Sequence, residues 1–120
     1  MKTCLVVDDV AVTRFSARSF LDELGLSVVE AEDEKSALAS LEESPVDVVL
    51  LDWHLKKKSG LELLEIIREK HGHGLKVVVF SGVENEGRVE EAKRAGADGF
   101  ITKPTTREKI ESEFKRIGAL

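Results

Sequence analysis

The sequence has little of several residue types, and each shortage excludes a class of protein. Cys4 is the one cysteine among 120 residues, so an internal disulfide is excluded and a reducing compartment is expected. Apolar runs such as Val48 to Leu51 fall far short of the roughly 20 residues that a membrane span needs, and no signal peptide is evident at the N-terminus. The net charge of -5 argues against nucleic acid, because phosphate binding needs a basic surface.

What the chain does have is a regular alternation of two patterns. Short continuous apolar runs predict strands that are buried on both faces, and segments with apolar residues every three or four positions predict amphipathic helices. The predicted strands are Leu5–Val7, Ser27–Ala31, Val46–Leu51, Lys76–Phe80 and Gly99–Ile101. The predicted helices are Val12–Leu24, Glu34–Glu43, Gly60–Lys70, Asn85–Ala95 and Thr106–Ile117.

This order of elements predicts an α/β fold. A strand followed by a helix, repeated five times, is typical of a doubly wound parallel sheet with helices on both faces. The flavodoxin-like (βα)5 arrangement with strand order 2-1-3-4-5 is the favoured topology. With 120 residues we expect one domain, at residues 1–120, without a second folded module.

Local motifs place several helix ends. Ser59 with Glu62, and Thr105 with Glu108, have the spacing of a capping box at a helix start. Gly25 and Gly96 stand where a residue in the left-handed conformation ends the first and fourth helices.

Polar residues collect where the predicted strands end. In an open parallel sheet, ligands bind beyond the carboxyl ends of the strands, near the point where strand order reverses. The polar side chains that follow strands one, three, four and five are Asp8, Asp9, Asp52, Ser81 and Lys103. We therefore expect three carboxylates, a hydroxyl and an ammonium group to meet in one crevice.

That combination of groups has a definite chemistry. Oxygen ligands without histidine or cysteine favour a hard divalent cation, and Mg²⁺ fits a site of few carboxylates better than a fully caged Ca²⁺ does. A carboxylate beside Mg²⁺ can attack phosphorus and form an aspartyl phosphate. Lys103 and the metal would offset charge on the transferring oxygens, and Ser81 would donate a hydrogen bond to them.

At this point the chain resembles a known family, the receiver domains of two-component response regulators, in the stand-alone form that resembles chemotaxis regulators. The match covers essentially the whole chain and rests on several motifs in a fixed order. They are Asp8-Asp9, Leu50-Leu51-Asp52-Trp53 with Gly60 eight residues after Asp52, Phe80-Ser81-Gly82, and the run from Ala95 to Pro104 that contains Thr102-Lys103-Pro104.

The resemblance implies roles for individual residues. Asp52 matches the phosphoacceptor, Lys103 the phosphoryl-binding lysine, and Ser81 the hydroxyl that moves on activation. Phe100 matches the aromatic switch residue, and the Lys103-Pro104 peptide is expected to be cis. The implied Mg²⁺ ligands are Asp9, Asp52 and the main-chain carbonyl of His54, with Asp8 in support.

One loop departs from the family pattern. In the family, the residues that follow the phosphoacceptor commonly include Met-Pro. Here the corresponding residues are Leu55 and Lys56, and Lys57 and Lys58 follow them. A solvated loop is the ordinary interpretation. The sharper hypothesis is that these three lysines steer an acidic or phosphorylated partner to the site.

The resulting functional expectation is a signalling domain rather than an enzyme. It would take a phosphoryl group from a sensor histidine kinase or a phosphotransfer protein and then change a binding face for a downstream protein. The family places that face on the fourth helix, fifth strand and fifth helix. We expect a bacterial cytoplasmic protein without an output domain, without nucleic-acid or membrane partners, and monomeric or weakly dimeric on activation.

Three alternatives remain open from the sequence. A degenerate receiver would act as an interaction module without phosphorylation. A small Mg²⁺-dependent aspartyl phosphohydrolase usually has a second aspartate two residues after the nucleophile, where this chain has His54. A flavin carrier on the same fold would meet repulsion between its phosphate and the Asp8-Asp9 pair.

Overall fold

The computed structural model describes residues 2–55, 60–82 and 86–120, without the side chains of residues 86–88. Strands and helices alternate throughout. The strands are β1 (Thr3–Val7), β2 (Ser27–Ala31), β3 (Val48–Asp52), β4 (Lys76–Ser81) and β5 (Gly99–Thr102). The helices are α1 (Ala11–Glu23), α2 (Glu34–Glu43), α3 (Gly60–His71), α4 (Glu86–Ala95) and α5 (Arg107–Arg116).

The strands form one sheet in the order β2-β1-β3-β4-β5, and every pair is parallel. The predicted fold class and strand order are therefore confirmed. Two boundaries differ in a way that matters for the site, because Asp52 and Ser81 are the last residues of β3 and β4 rather than the first residues after them. The backbone that carries these two side chains is consequently fixed by the hydrogen bonds of the sheet.

The core has one layer on each face of the sheet. Side chains of β1, β3 and β4 alternate between the two layers, because successive residues of a strand point to opposite faces. Leu5, Val49 and Val77 pack with α2, α3 and α4, whereas Val6, Leu50 and Phe80 pack with α1 and α5. Burial on both faces explains why these strands are continuous apolar runs.

The helix ends confirm some sequence signals and correct others. Gly25 and Gly96 have φ of 84° and 108°, so both take the predicted left-handed conformation. Thr105 is not the cap of α5: Thr106 accepts the hydrogen bond from the Lys109 amide instead, because the helix begins one residue later. The Ser59 signal lies outside the described residues, and no helix of the described part is long and apolar enough to cross a membrane.

Side chains of α5 cover backbone groups along the outer edge of β5. Glu113 accepts a hydrogen bond from the Phe100 amide at 2.8 Å. Arg116 donates to the Asp98 carbonyl at 3.0 Å, and Lys109 donates to the Thr102 carbonyl at 3.2 Å. The Arg116 guanidinium also holds the pKa of Glu113 below its ordinary value, so this carboxylate stays ionised at the strand edge.

Candidate functional site

The fold brings the three predicted carboxylates together at the carboxyl ends of β1 and β3. Asp8, Asp9 and Asp52 each offer an oxygen, and these oxygens all lie within 4.8 Å of one another. The order of the sheet accounts for this, because β1 and β3 are neighbours in register from Cys4 with Val48 to Val7 with Leu51. The sequence reasoning about the switch point therefore placed this cluster correctly.

Lys103 reaches the same crevice from the end of β5. Its Nζ lies 3.5 Å from Asp52 Oδ1 and 3.7 Å from Asp8 Oδ2. The Lys103 amide donates to the Ser81 carbonyl at 2.8 Å, and the following Lys103-Pro104 peptide is cis, as the resemblance implied. Lys103 is thus a cation between two of the carboxylates.

The other predicted residues surround this centre at different depths. Ser81 is fully buried at the end of β4, and His54 is exposed with its amide donating to Asp52 Oδ1 at 3.1 Å. Phe100 is half-buried in β5 and packs against the layer that contains α3 and α4. The loop lysines Lys56, Lys57 and Lys58 lie outside the described residues.

Asp8 shows most directly that the site fits a hard cation. Its amide donates to the Ala31 carbonyl at 3.1 Å, and its Oδ1 accepts from the Val10 amide at 2.8 Å. The other oxygen, Oδ2, is buried and has no hydrogen-bond donor among the described residues. Lys103 Nζ, at 3.7 Å from this oxygen, is beyond hydrogen-bond distance, and one ammonium group does not balance three carboxylates, so the donor set suits Mg²⁺.

Burial raises the pKa of Asp52 to about 6, and the neighbouring charge of Asp8 acts in the same direction. The hydrogen bond from the His54 amide and the charge of Lys103 both lower the pKa and offset part of the rise. The side chain is nearly inaccessible to water, which is why loss of solvation is the largest cause. Without a divalent cation, an ionised Asp52 therefore destabilises the fold.

We expect Asp52→Asn to stabilise the metal-free protein at pH 7 by about 1–3 kcal/mol. The folded pKa of about 6 exceeds the ordinary value of 3.8, so stability falls as pH rises from about 4 to 6 and the penalty is complete above that range. Urea denaturation in the presence of a chelator, at pH 7 and at pH 4, measures the difference.

Asp22→Asn is the matched control, because that aspartate has a side chain that is 56% exposed on α1. It should leave stability within about 0.5 kcal/mol of wild type. An equal gain for Asp52→Asn at both pH values would show that the effect does not come from ionisation.

Gly60 lies where α3 begins against the end of β3. Its amide donates to the Trp53 carbonyl at 2.8 Å, and a Cβ at this position would lie 2.6 Å from the Asp52 carbonyl oxygen and 2.9 Å from Trp53 Cα. Both are backbone atoms, so the strand end beside the carboxylates would have to shift. The glycine eight residues after Asp52 is therefore required by close packing.

We expect Gly60→Ala to lower the free energy of unfolding by about 1–3 kcal/mol, because overpacking displaces the backbone. Gly74→Ala is the control, since a Cβ there meets nothing within 4 Å and its φ is ordinary. Thermal unfolding of both variants checks the prediction. Equal melting temperatures would contradict the close contact at Gly60.

Two partly buried arginines were missed by the sequence reasoning. Arg14 donates to the Asp8 carbonyl at 2.7 Å, and Arg68 donates to the Gly96 carbonyl and to the Asp98 carboxylate. An arginine within a helix is usually interpreted as solvated charge, but Arg14 stands three and seven residues before Ala17 and Leu21, the buried residues of α1. The packing of helix against sheet then shows which groups these arginine side chains reach.

Comparison with known proteins agrees with this geometry. A family model described as "Response regulator receiver domain" matches residues 4–115. Chemotaxis protein CheY of Pseudomonas aeruginosa is 32% identical over an alignment of 120 positions, which covers 94% of this chain and 96% of the relative. Chemotaxis protein CheY-3 of Vibrio cholerae is 33% identical, covering 94% of this chain and 92% of that protein.

Solved structures give the same result for the fold. Chemotaxis protein CheY4 of Vibrio cholerae superposes with a TM-score of 0.91 at 24% identity and covers 98% of both chains. A CheY-like response regulator receiver domain protein from Methanospirillum hungatei has a TM-score of 0.88 at 26% identity and covers 99% of this chain and 95% of its own. The resemblance seen in the motifs is therefore confirmed, and this chain belongs to the response regulator receiver domain family of two-component signalling.

Proposed function

We propose that this protein is a stand-alone response regulator that accepts a phosphoryl group on Asp52 in a Mg²⁺-dependent reaction. One observation carries the proposal: Lys103 Nζ and the carboxylates of Asp8 and Asp9 converge on the nearly buried Asp52. This arrangement supplies a nucleophile, a fixed cation and a set of oxygen ligands at one point, which is most of what phosphoryl transfer requires.

The chemistry follows from the positions of these groups. A carboxylate oxygen of Asp52 forms an O–P bond while the N–P bond of a phosphohistidine donor breaks, and the bonding electron pair of that bond stays with the imidazole nitrogen. Lys103 offsets negative charge on the transferring oxygens, and Ser81 is proposed to donate a hydrogen bond to them. Asp8, Asp9, Asp52 and the His54 carbonyl would hold Mg²⁺, which supplies further positive charge there.

The proposed response is a change in a binding face formed by α4, β5 and α5. Movement of the Ser81 hydroxyl toward the phosphoryl group would leave room for Phe100 to turn inward. A surface groove between β5 and α5 supports this assignment, since Phe100 lines it together with Thr102, Lys109 and Ser112. A phosphoryl group would then bias two states of an existing surface.

The proposed partners are proteins on both sides of this reaction. The donor is a sensor histidine kinase or a phosphotransfer protein, and the acceptor of the signal is a protein that binds the α4–β5–α5 face. The curated relatives named above are chemotaxis proteins, which supports a role as a stand-alone regulator. We further propose a bacterial cytoplasmic location and a monomer, or a weak dimer on activation.

Incubation with Mg²⁺ and a small-molecule phosphodonor tests the proposal. We expect intact mass to increase by one phosphoryl group, a Mg²⁺-dependent change in Trp53 fluorescence, and no mass gain for Asp52→Asn or in excess chelator. Asp22→Asn should be phosphorylated like wild type. Mg²⁺ binding without any mass gain would contradict the proposal and indicate a phosphorylation-independent interaction module.

A further inference from the structure

Arg14 lies one turn into α1, and its side chain turns back toward the end of β1. Its NH1 donates to the Asp8 carbonyl at 2.7 Å, and its Nε donates to Glu30 on β2 at 3.0 Å. The side chains of Arg14 and Glu30 are only 14% and 19% exposed. The guanidinium therefore connects the strand beside β1 with the main chain of an acidic residue of the site.

Among the residues that the structure describes, three hydrogen bonds hold Asp8, and Arg14 supplies one of them. The Asp8 amide donates to the Ala31 carbonyl, and its Oδ1 accepts from the Val10 amide, so both of those bonds use the backbone of a neighbouring residue. The bond from Arg14 to the Asp8 carbonyl is the one that comes from a side chain. In this orientation Asp8 Oδ2 faces the crevice and lies 3.7 Å from Lys103 Nζ.

We propose that Arg14, held by Glu30, is a positioning residue that sets the orientation of Asp8 for a divalent cation. The inference deepens the proposed function and rests on its metal site. Residues that orient metal ligands through a second hydrogen bond typically change metal affinity by about 10- to 100-fold when they are replaced. A rigid, forked guanidinium holds Nε and NH1 at a fixed separation that matches the carboxylate and the carbonyl, whereas the ammonium group of a flexible lysine does not fix this geometry.

Arg18 provides the matched control. It also donates to Glu30, and its side chain is 48% exposed, so it shares the Glu30 carboxylate with Arg14. None of the hydrogen bonds described for Arg18 reaches Asp8. Replacing Arg18 therefore removes a cation and a Glu30 contact without removing the bond to the metal site.

Charge alone and positioning predict opposite results. Removing a cation near three carboxylates strengthens Mg²⁺ binding if only electrostatic attraction matters. If positioning matters, removing the hydrogen bond that orients Asp8 weakens Mg²⁺ binding. Titration of Mg²⁺ into the intact protein, followed by Trp53 fluorescence or calorimetry, separates the two effects without any phosphodonor.

We expect Arg14→Met to raise the Kd for Mg²⁺ about tenfold, Arg14→Lys to raise it although charge is retained, and Arg18→Met to leave it within about twofold of wild type. If the Arg14→Met variant does not fold, the Kd of the Arg14→Lys variant for Mg²⁺ tests the inference. An unchanged or lower Kd for folded Arg14 variants overturns the inference, as does an equal rise for Arg18→Met or the absence of Mg²⁺ binding to wild type.

The phosphodonor assay keeps the two proposals separate. If wild type binds Mg²⁺ and gains no phosphoryl group while Arg14 variants bind Mg²⁺ more weakly, the positioning role stands and the proposed function fails. If wild type is phosphorylated while Arg14 variants bind Mg²⁺ normally, the positioning role fails and the proposed function stands.

Discussion

Replacing Arg68 with methionine is expected to lower the free energy of unfolding by about 3–5 kcal/mol, although this residue is far along the chain from the carboxylates. Its side chain is only 9% exposed. The guanidinium donates to the carbonyls of Gly96, Gly72 and Leu75 and to Asp98 Oδ2, at 2.6 Å and 2.9 Å for Gly96, 2.7 Å for Gly72 and 2.8 Å for Asp98.

These bonds join two loops at the amino-terminal end of the sheet. Arg68 is in the last turn of α3, and its partners lie in the α3–β4 connection and between α4 and β5. Removing it leaves partly buried carbonyls without donors and leaves the Asp98 carboxylate, which also accepts from the Val77 amide, without its cation. The cost of those groups exceeds that of any exposed ion pair.

Urea denaturation and thermal melting measure the effect, and the melting temperature should fall by more than about 10 °C. Arg107→Met is the control, because Arg107 is 50% exposed and pairs only loosely, with Glu23 at 3.9 Å and with Glu108 at 3.6 Å. Arg68→Lys should recover only part of the loss, since an ammonium lacks the forked geometry. A loss no larger than that of the control would mean that these loops hold together without Arg68.

The second large effect is expected at the site itself. Lys103→Met should slow phosphoryl transfer from a small-molecule donor by roughly 100- to 1,000-fold, because the fixed cation beside Asp52 is lost at the moment when charge develops. Mg²⁺ affinity should be unchanged or higher in this variant, since one positive charge is removed from the crevice. The rate of phosphoryl transfer should therefore fall while the affinity for Mg²⁺ does not.

Single-turnover phosphorylation followed by intact mass, with Mg²⁺ at saturation, measures the rate. Lys70→Met is the control, because Lys70 is 52% exposed and pairs with Glu42 at 3.9 Å, not with a carboxylate of the site. A Lys103→Met rate within threefold of wild type would remove this lysine from the proposed chemistry.

Most of the fold could be predicted because apolar periodicity records burial directly. The continuous runs of β1, β3 and β4 are buried on both faces, so they carry a strong signal, and the strand order follows from the rules for doubly wound sheets. Helix starts were predicted less well. Thr105 and Thr106 are chemically equivalent as caps, and only the geometry at the start of α5 selects the second of them.

The acidic cluster could also be predicted, since the carboxyl ends of neighbouring parallel strands must meet. The hydrogen bonds that support the cluster could not be predicted from the sequence. Arg14 contacts Asp8 only because α1 packs on β1 and β2 with that face inward, and Glu30 looks in the sequence like any polar residue of an outer strand. The apolar spacing of α1 predicts its buried face, but the groups that an arginine beside that face reaches depend on how the helix packs on the sheet.

The hydrogen bonds from α5 to β5 bear on self-association. An outer strand usually exposes amides and carbonyls that can recruit a strand from another molecule. Here the Asp98 carbonyl, the Phe100 amide and the Thr102 carbonyl already bind Arg116, Glu113 and Lys109. A sixth strand would have to displace these three side chains before it could pair with β5, which disfavours growth of the sheet at this edge.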